Sequence, residues 1–199
     1  MKNIEFSGSF VTFGSYFEIG EYAGDKLFTE NELLQSQNRV VNDYSISKRM
    51  FSRYISSVEQ RFNTWHFILP TIYGEHESSH RLIPYTINAL KTNADLEFTS
   101  GEQVRQYIYI EEITEIIMHS LNKNIPSGVY NIAGTESLSV KELVTNLFNL
   151  FNKDIPESVF GKTKRTDTGM KILQLDGSKL YSAINYNPSL KILDIYDRY

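Results

Sequence analysis

Tyr44 and Lys48 stand four residues apart in the stretch Asn42-Asp-Tyr-Ser-Ile-Ser-Lys-Arg-Met50. On a helix that spacing places a phenol and an ammonium on one face, one turn apart. A free phenol, with a pKa of about 10, is a poor base near neutrality. A cation within about 4–6 Å favours the phenolate and lowers that value. A tyrosine tuned this way can pass a proton to or from a substrate oxygen. Ser15 adds a hydroxyl. It follows the run Ser9-Phe-Val-Thr-Phe13 and Gly14, at the carboxyl end of an expected strand, where open α/β sheets bind ligands. Each has a plainer reading: Tyr44 and Lys48 as an exposed helical pair, Ser15 as a serine that ends a strand. With 13 tyrosines in the chain, roughly one Tyr-x-x-x-Lys match arises by chance. Tyr22-Ala-Gly-Asp-Lys26 is a second match, beside Gly20 and Gly24 in a stretch that reads as loop.

The elements around these residues follow from hydrophobic spacing. A helix is expected over 41–55, with Asp43 as its N-cap and Met50, Phe51, Tyr54, Ile55 and Val58 as its apolar face. Strands are expected over 9–13 and 64–69, the second running into turn chemistry at Pro70–Gly74. Residues 18–42 read as a long loop with a helical turn near 30–34. Pro84 suits the first turn of a helix over 82–90. A short strand over 96–99 and an extended piece over 105–110 precede an amphipathic helix over 111–121, with Ile113, Ile116, Ile117 and Leu121 inward. A strand over 128–132 and a capping box, Ser139 with Glu142, lead into a helix over 140–151. A late strand falls near 171–175. Strands alternating with helices argue for an α/β fold with a largely parallel sheet.

Composition narrows the function classes. Of 199 residues, 41% are apolar and 22% charged, with net charge −4, as in a soluble globular protein. No basic stripe points to nucleic acid. There is no cysteine, hence no disulfide framework or thiolate metal site. His76 and His80, four apart near Glu75 and Glu77, lie in a stretch without a clear helix, which argues against a metal. No apolar run approaches the ~20 residues of a membrane span. The start, Met-Lys-Asn-Ile-Glu-Phe-Ser7, lacks the apolar core of an export signal, so a cytoplasmic location is expected.

Taken in order, the motifs resemble those of a known family. They are Phe-Gly-Ser15; Tyr44-x-x-x-Lys48; Leu-Pro-Thr-Ile-Tyr73-Gly; Arg81-Leu-Ile-Pro84; Gly101-x-x-x-Arg105-Gln-Tyr-Ile-Tyr-Ile-x-Glu112; Tyr130-Asn-Ile; Ser139-x-x-Glu142-Leu; and Leu175-Asp-x-Ser-Lys179. The chain resembles the extended short-chain dehydrogenase/reductases, the NAD-dependent epimerase/dehydratase group acting on nucleotide sugars. The resemblance implies the C-terminal portion of a Rossmann-type parallel sheet in residues 1–70, with a smaller α/β substrate lobe in 71–199 from which segments of about 96–133 return to the sheet. It implies NAD or NADP as cofactor, a nucleotide-diphosphate sugar as substrate, and a homo-oligomer formed through the Tyr44–Lys48 helix. By the same resemblance Ser15 bonds the sugar oxygen and Tyr44 is the acid/base. Lys48 tunes Tyr44 and holds the nicotinamide ribose. Pro70 and Ile72 flank the cofactor. Thr71, Tyr73, Arg81 and Leu82 line the sugar-nucleotide site, and Arg105 clamps the diphosphate.

Departures from the pattern bear on the activity. The dehydratase branch carries acidic residues directly after its Ser15 equivalent; here Tyr16 and Phe17 stand there. That favours epimerisation or 4-keto-sugar reduction over dehydration. The family usually has Asn where this chain has Thr71, and Arg-Asp where it has Arg105-Gln106. The family's Gly-x-x-Gly-x-x-Gly turn, which brings the cofactor pyrophosphate to a helix N-terminus, has no counterpart. By resemblance the chain begins near the family's middle. Two functions are therefore open: a catalytic and substrate-binding part of an NAD(P)-dependent enzyme, or a non-catalytic remnant that binds a nucleotide sugar or only assembles.

Overall fold

The computed structural model describes residues 8–58, 63–164 and 170–199. Residues 1–7, read above for an export signal, lie outside them. The principal elements are β1 (Phe10–Ser15), a 3-10 turn (Tyr16–Ile19), α1 (Glu30–Gln35), α2 (Asp43–Ser57), β2 (Thr64–Leu69), β3 (Thr71–Tyr73), α3 (Leu82–Thr92), β4 (Val104–Tyr109), α4 (Ile110–Lys123), β5 (Gly128–Asn131), β6 (Glu136–Ser139), α5 (Val140–Leu150), β7 (Ile172–Leu173) and α6 (Ser178–Ile184).

β1, β2 and β5 form a parallel sheet in that order. Ser15 lies opposite Leu69, so β1 and β2 end side by side. The middle strand, β2, is buried from Thr64 through Ile68, as befits a strand covered on both faces. Trp65 and Phe67 pack with Ile113 and Ile116 of α4 and Leu180 and Ile184 of α6. Ile68 packs in another cluster with Tyr16, Phe28 and Leu33. In the second sheet, of order β3-β4-β6, β3 runs parallel and β6 antiparallel to β4, and β7 also pairs with β4. Its core joins Tyr73 and Tyr109 to Ile87 and Leu90 of α3 and Leu143 and Leu147 of α5. Pro70 separates the last residue of one sheet from the first of the other.

Several expectations need correction. Thr71–Tyr73 is strand rather than turn, because it pairs with β4. Residues 96–99 form no strand; Leu96 and Phe98 are buried by their side chains instead. Of the stretch 96–133, β5 joins the parallel sheet, whereas β4 belongs to the second. Leu121 of α4 is 40% exposed. β6 and α6 were not foreseen. Among the described residues no helix is long and apolar enough to cross a membrane.

The largest correction concerns α2. Its cap is Asn42, whose Oδ1 accepts from the Ser45 amide at 2.8 Å, not Asp43. Of its apolar stripe, Met50 and Tyr54 face outward, 68% and 60% exposed. The inward face carries buried Ser45 and Ser52, with Arg49 and Arg53 beside them. Arg49 donates from Nε to the Glu18 carbonyl at 2.6 Å and from Nη1 to the Asn38 carbonyl at 2.7 Å. Arg53 donates to the carbonyls of Leu34 and Ser36. The loop between β1 and α2 thus presents backbone acceptors where water would otherwise be, and the polar face becomes the packed one.

Candidate functional site

The site begins where β1 ends. Ser15 is the N-cap of the 3-10 turn, its Oγ accepting from the Phe17 amide, while its own amide donates to Glu18 Oε1 at 2.6 Å. This reciprocal bonding is a capping box, and it fixes the strand end that carries the hydroxyl. α2 crosses the same strand end. Lys48 Nζ donates to the Phe13 carbonyl at 2.9 Å and lies 5.9 Å from the Tyr44 ring centroid. The helix therefore presents both side chains at the carboxyl ends of β1 and β2, as the i, i+4 spacing requires.

A cleft of about 400 Å³ opens there. Ser15, Tyr44, Lys48, Pro70, Thr71, Ile72 and Arg81 all line it, together with Phe13, Gly14, Phe17 and Leu69. Tyr44 is 54% exposed, so its phenol is within reach of a ligand. Arg81 is held by Glu77, with Nε 2.8 Å from Oε2, and by the Ile72 carbonyl at 2.8 Å from Nη2. The lining holds two cations and no carboxylate. Such a wall favours an anionic ligand with an apolar portion set against Pro70 and Ile72. A larger cleft, of about 540 Å³, lies at the amino ends of β2 and β5, beside Thr64 and Gly128. It has no strand carboxyl end, which is where parallel sheets place their ligands.

Three candidates are not brought to the cleft. Tyr73 is buried and donates to the Leu190 carbonyl at 3.1 Å, and burial pushes its phenol pKa upward. Leu82 packs at the start of α3 against the core of the second sheet. Arg105 is buried; its guanidinium donates to the carbonyls of Val104, Lys171 and Met170 at 2.7, 3.2 and 3.0 Å. Its fork reads backbone carbonyls as it would a phosphate, so the residue type was legible and its partner was not. The second Tyr–Lys match, Tyr22 with Lys26, has Nζ 5.7 Å from the ring centroid, but Lys26 pairs with Glu32. Among the described residues, no group of three or more His, Cys, Asp or Glu could hold a metal.

Polar groups that the sequence reading passed over lie beneath the cleft. His66 is buried on β2, with Nδ1 2.8 Å from Thr12 Oγ1 and Nε2 2.7 Å from Ser52 Oγ. Burial, and secondarily the charge of Lys48, push its pKa down to about 4. Burial raises the pKa of Glu18, opposed by hydrogen bonds from Ser52 and the Ser15 amide and by the charges of Lys48 and Arg49. The one available signal was Ser15-Tyr-Phe-Glu18, which has the S-x-x-E spacing of a capping box.

Comparison with known proteins agrees with this architecture. CDP-abequose synthase of Salmonella muenchen is 28% identical over 123 residues, 59% of this chain and 41% of that protein. The dTDP-D-glucose 4,6-dehydratase of Homo sapiens is 28% identical over 137 residues, 67% of this chain and 38% of that protein. The dTDP-4-dehydro-6-deoxyglucose reductase of Escherichia coli is 23% identical over 180 residues, 87% of this chain and 55% of that protein. The chain thus spans about half, or less, of the length of these relatives. Among solved structures, RMD from Pseudomonas aeruginosa complexed with NADPH superposes with a TM-score of 0.80 at 17% identity, covering 98% of this chain and 65% of that one. DesIV, a dTDP-glucose 4,6-dehydratase from Streptomyces venezuelae with NAD and TYD bound, gives 0.79 at 20% identity over 94% of this chain and 57% of that one. These likenesses show the fold, a Rossmann-type α/β architecture. The NAD dependent epimerase/dehydratase family matches residues 2–133, most of the chain, and the chain belongs to that family.

Proposed function

We propose that this chain is the catalytic and substrate-binding part of an NAD(P)-dependent nucleotide-sugar epimerase or 4-keto-sugar reductase. The observation that carries the reading is the convergence of Ser15, Tyr44, Lys48, Pro70, Thr71, Ile72 and Arg81 on one cleft. The Tyr44 phenol exchanges a proton with a sugar oxygen, and the Ser15 hydroxyl bonds that oxygen, with the Lys48 ammonium on the same wall of the cleft. Arg81 offers its remaining guanidinium donors to the diphosphate. No carboxylate lines the cleft to remove a carbon-bound proton, and the Tyr16 hydroxyl is engaged with Thr71 Oγ1. This supports epimerisation or reduction over dehydration. The exposed apolar face of α2 supports a homo-oligomer built on that helix.

The residues fit the nicotinamide end of the cofactor. Pro70 and Ile72 give an apolar wall beside Lys48, whose ammonium keeps two protons for a ribose hydroxyl after its bond to Phe13. When bound, the cofactor supplies or accepts the hydride. The pyrophosphate end finds no cradle among the described residues: the last amide of β1, that of Ser15, is already bonded to Glu18. That observation favours a second reading, a chain that binds the nucleotide sugar without the cofactor.

A nicotinamide-absorbance assay with dTDP- and UDP-4-keto-sugars, run on wild type, Tyr44→Phe and Lys48→Ala, separates the two. The catalytic reading expects turnover that falls about 10²- to 10⁴-fold in the variants. Turnover untouched by Tyr44→Phe would overturn it. Nucleotide-sugar binding with neither turnover nor nicotinamide binding would establish the second reading.

A further inference from the structure

The proposed reaction assigns no role to the polar chain beneath the cleft. Thr12 on β1, His66 on β2, Ser52 on α2 and Glu18 in the 3-10 turn are all buried. Thr12 Oγ1 lies 2.8 Å from His66 Nδ1, and His66 Nε2 lies 2.7 Å from Ser52 Oγ; Glu18 Oε1 converges with His66 Nε2 and Ser52 Oγ over Gly14 and accepts from the Ser15 amide at 2.6 Å. Ser52 Oγ also lies 3.0 Å from the Lys48 carbonyl, one helical turn earlier. The Phe51 ring and the imidazole pack edge-to-face, with centroids 5.7 Å apart. The series therefore runs from β1 at Thr12 to the Lys48 carbonyl of α2, with Glu18, which holds the Ser15 amide, set beside it.

Donor counting fixes the state of the imidazole. Ser52 has one hydroxyl proton, and both the Lys48 carbonyl and an ionised Glu18 can only accept it. Ser52 must then accept from His66, so Nε2 carries the proton and Nδ1 accepts from Thr12. Glu18, from the 3-10 turn, and Lys48 and Arg49, from α2, are the charged groups around this series. A fully satisfied buried network specifies one arrangement of the elements that supply it. Apolar side chains would fill the same space without that constraint.

We propose that His66, bridging Thr12 of β1 and Ser52 of α2, is a positioning residue that holds Ser15 of β1 in register with Lys48 and Tyr44 of α2 for proton transfer at the sugar oxygen. This rests on the catalytic reading of the cleft. His66 touches no substrate. It sets the relation between two elements that do, and a misplacement of about 1 Å between reacting groups costs about 10²-fold in rate.

The test compares His66→Leu, His66→Gln, Ser52→Ala and Tyr44→Phe in the nicotinamide-linked assay, with nitrogen NMR of the histidine rings in the wild type. The expected result is a kcat about 10- to 100-fold lower in His66→Leu and Ser52→Ala, with KM for the nucleotide sugar within about threefold of wild type. His66→Gln, whose amide restores a donor to Ser52, recovers most of kcat. The NMR spectrum shows one histidine held as the neutral Nε2–H tautomer between about pH 5 and 8, absent from His66→Gln. Wild-type kcat in a folded His66→Leu overturns the proposal alone, provided that Tyr44→Phe is inactive. Full turnover in Tyr44→Phe overturns the catalytic reading and the proposal with it. Should His66→Leu fail to fold, Ser52→Ala decides on the same criterion. An Nδ1–H tautomer, or a ring that titrates in that range, overturns the proposal without any assay of turnover.

Discussion

The guanidinium of Arg49 donates through Nε to the carbonyl of Glu18 across 2.6 Å, joining α2 to the turn that ends β1. With Arg53 it makes the charged face of this helix the packed one. Arg49→Met leaves the Glu18 and Asn38 carbonyls without their donor, and a loss of about 2–4 kcal/mol of folding stability is expected by denaturant unfolding. Met50→Lys, one residue on, is expected to stay within about 0.5 kcal/mol of wild type. The reverse order of effects would mean that the helix packs by its apolar face.

Gly14 sits where the buried network passes closest to the backbone. A Cβ there would lie 2.6 Å from Glu18 Oε1, 2.7 Å from His66 Nε2 and 3.0 Å from Ser52 Oγ. Gly14→Ala is expected to cost about 1–3 kcal/mol by overpacking. It is also expected to lower turnover more than nucleotide-sugar affinity, since it displaces Ser15 and Lys48 together. Unchanged stability and kcat would contradict this.

The neutral state of His66 gives folding a pH dependence of defined sign. Its pKa is about 4 in the folded chain, against about 6.5 when unfolded. As pH falls through 6.5, the unfolded chain takes up a proton that the folded chain refuses until about pH 4, so stability drops across that window. At about 1.4 kcal/mol per unit the full loss approaches about 3 kcal/mol. Glu18 acts oppositely, because its raised pKa means that acidification relieves a cost of the folded state. Between pH 7 and 4.5, wild type is therefore expected to lose about 2–3 kcal/mol more than His66→Gln in urea unfolding. Parallel pH curves would show that His66 protonates freely in the folded state.

Arg105 and Arg81 are expected to part company. Arg105→Met removes donors from three backbone carbonyls, one of them fully buried, and should cost about 2–4 kcal/mol of stability. Arg81→Ala, at an exposed helix cap, should stay within about 0.5 kcal/mol of wild type while weakening nucleoside-diphosphate binding about tenfold. Thermal melts paired with calorimetry would show it.

The outward face of α2 should be an assembly surface. Met50→Lys with Tyr54→Lys, both at exposed positions, should leave the far-ultraviolet circular dichroism unchanged and lower the mass measured by light scattering. An unchanged mass would contradict assembly through this face.

Much of this was legible beforehand because it rests on local rules. The spacing of Tyr44 and Lys48 puts both on one helical face whichever way the helix turns, and a serine after an apolar run marks a strand end. Ser139 and Glu142 announce a capping box, and the structure forms it. What escaped depends on distant partners. Met50, Phe51 and Tyr54 mark an apolar stripe, but periodicity does not say whether that stripe meets the core. The answer came from carbonyls of residues 18, 34, 36 and 38, which satisfy the opposite face. His66 reads as one polar residue in a buried strand, and its partners Thr12 and Ser52 are 54 and 14 residues away. Arg105 carries the right fork for a diphosphate, and three backbone carbonyls claim it first.

Calorimetric titration of dTDP- and UDP-sugars into the chain, set beside the same titration into Tyr44→Phe and Arg81→Ala, tests the central claim most directly. The account expects saturable binding in the micromolar range that weakens about tenfold or more in Arg81→Ala and survives in Tyr44→Phe, whose loss falls on turnover. No heat of binding for any nucleotide sugar, or binding indifferent to Arg81, would contradict it.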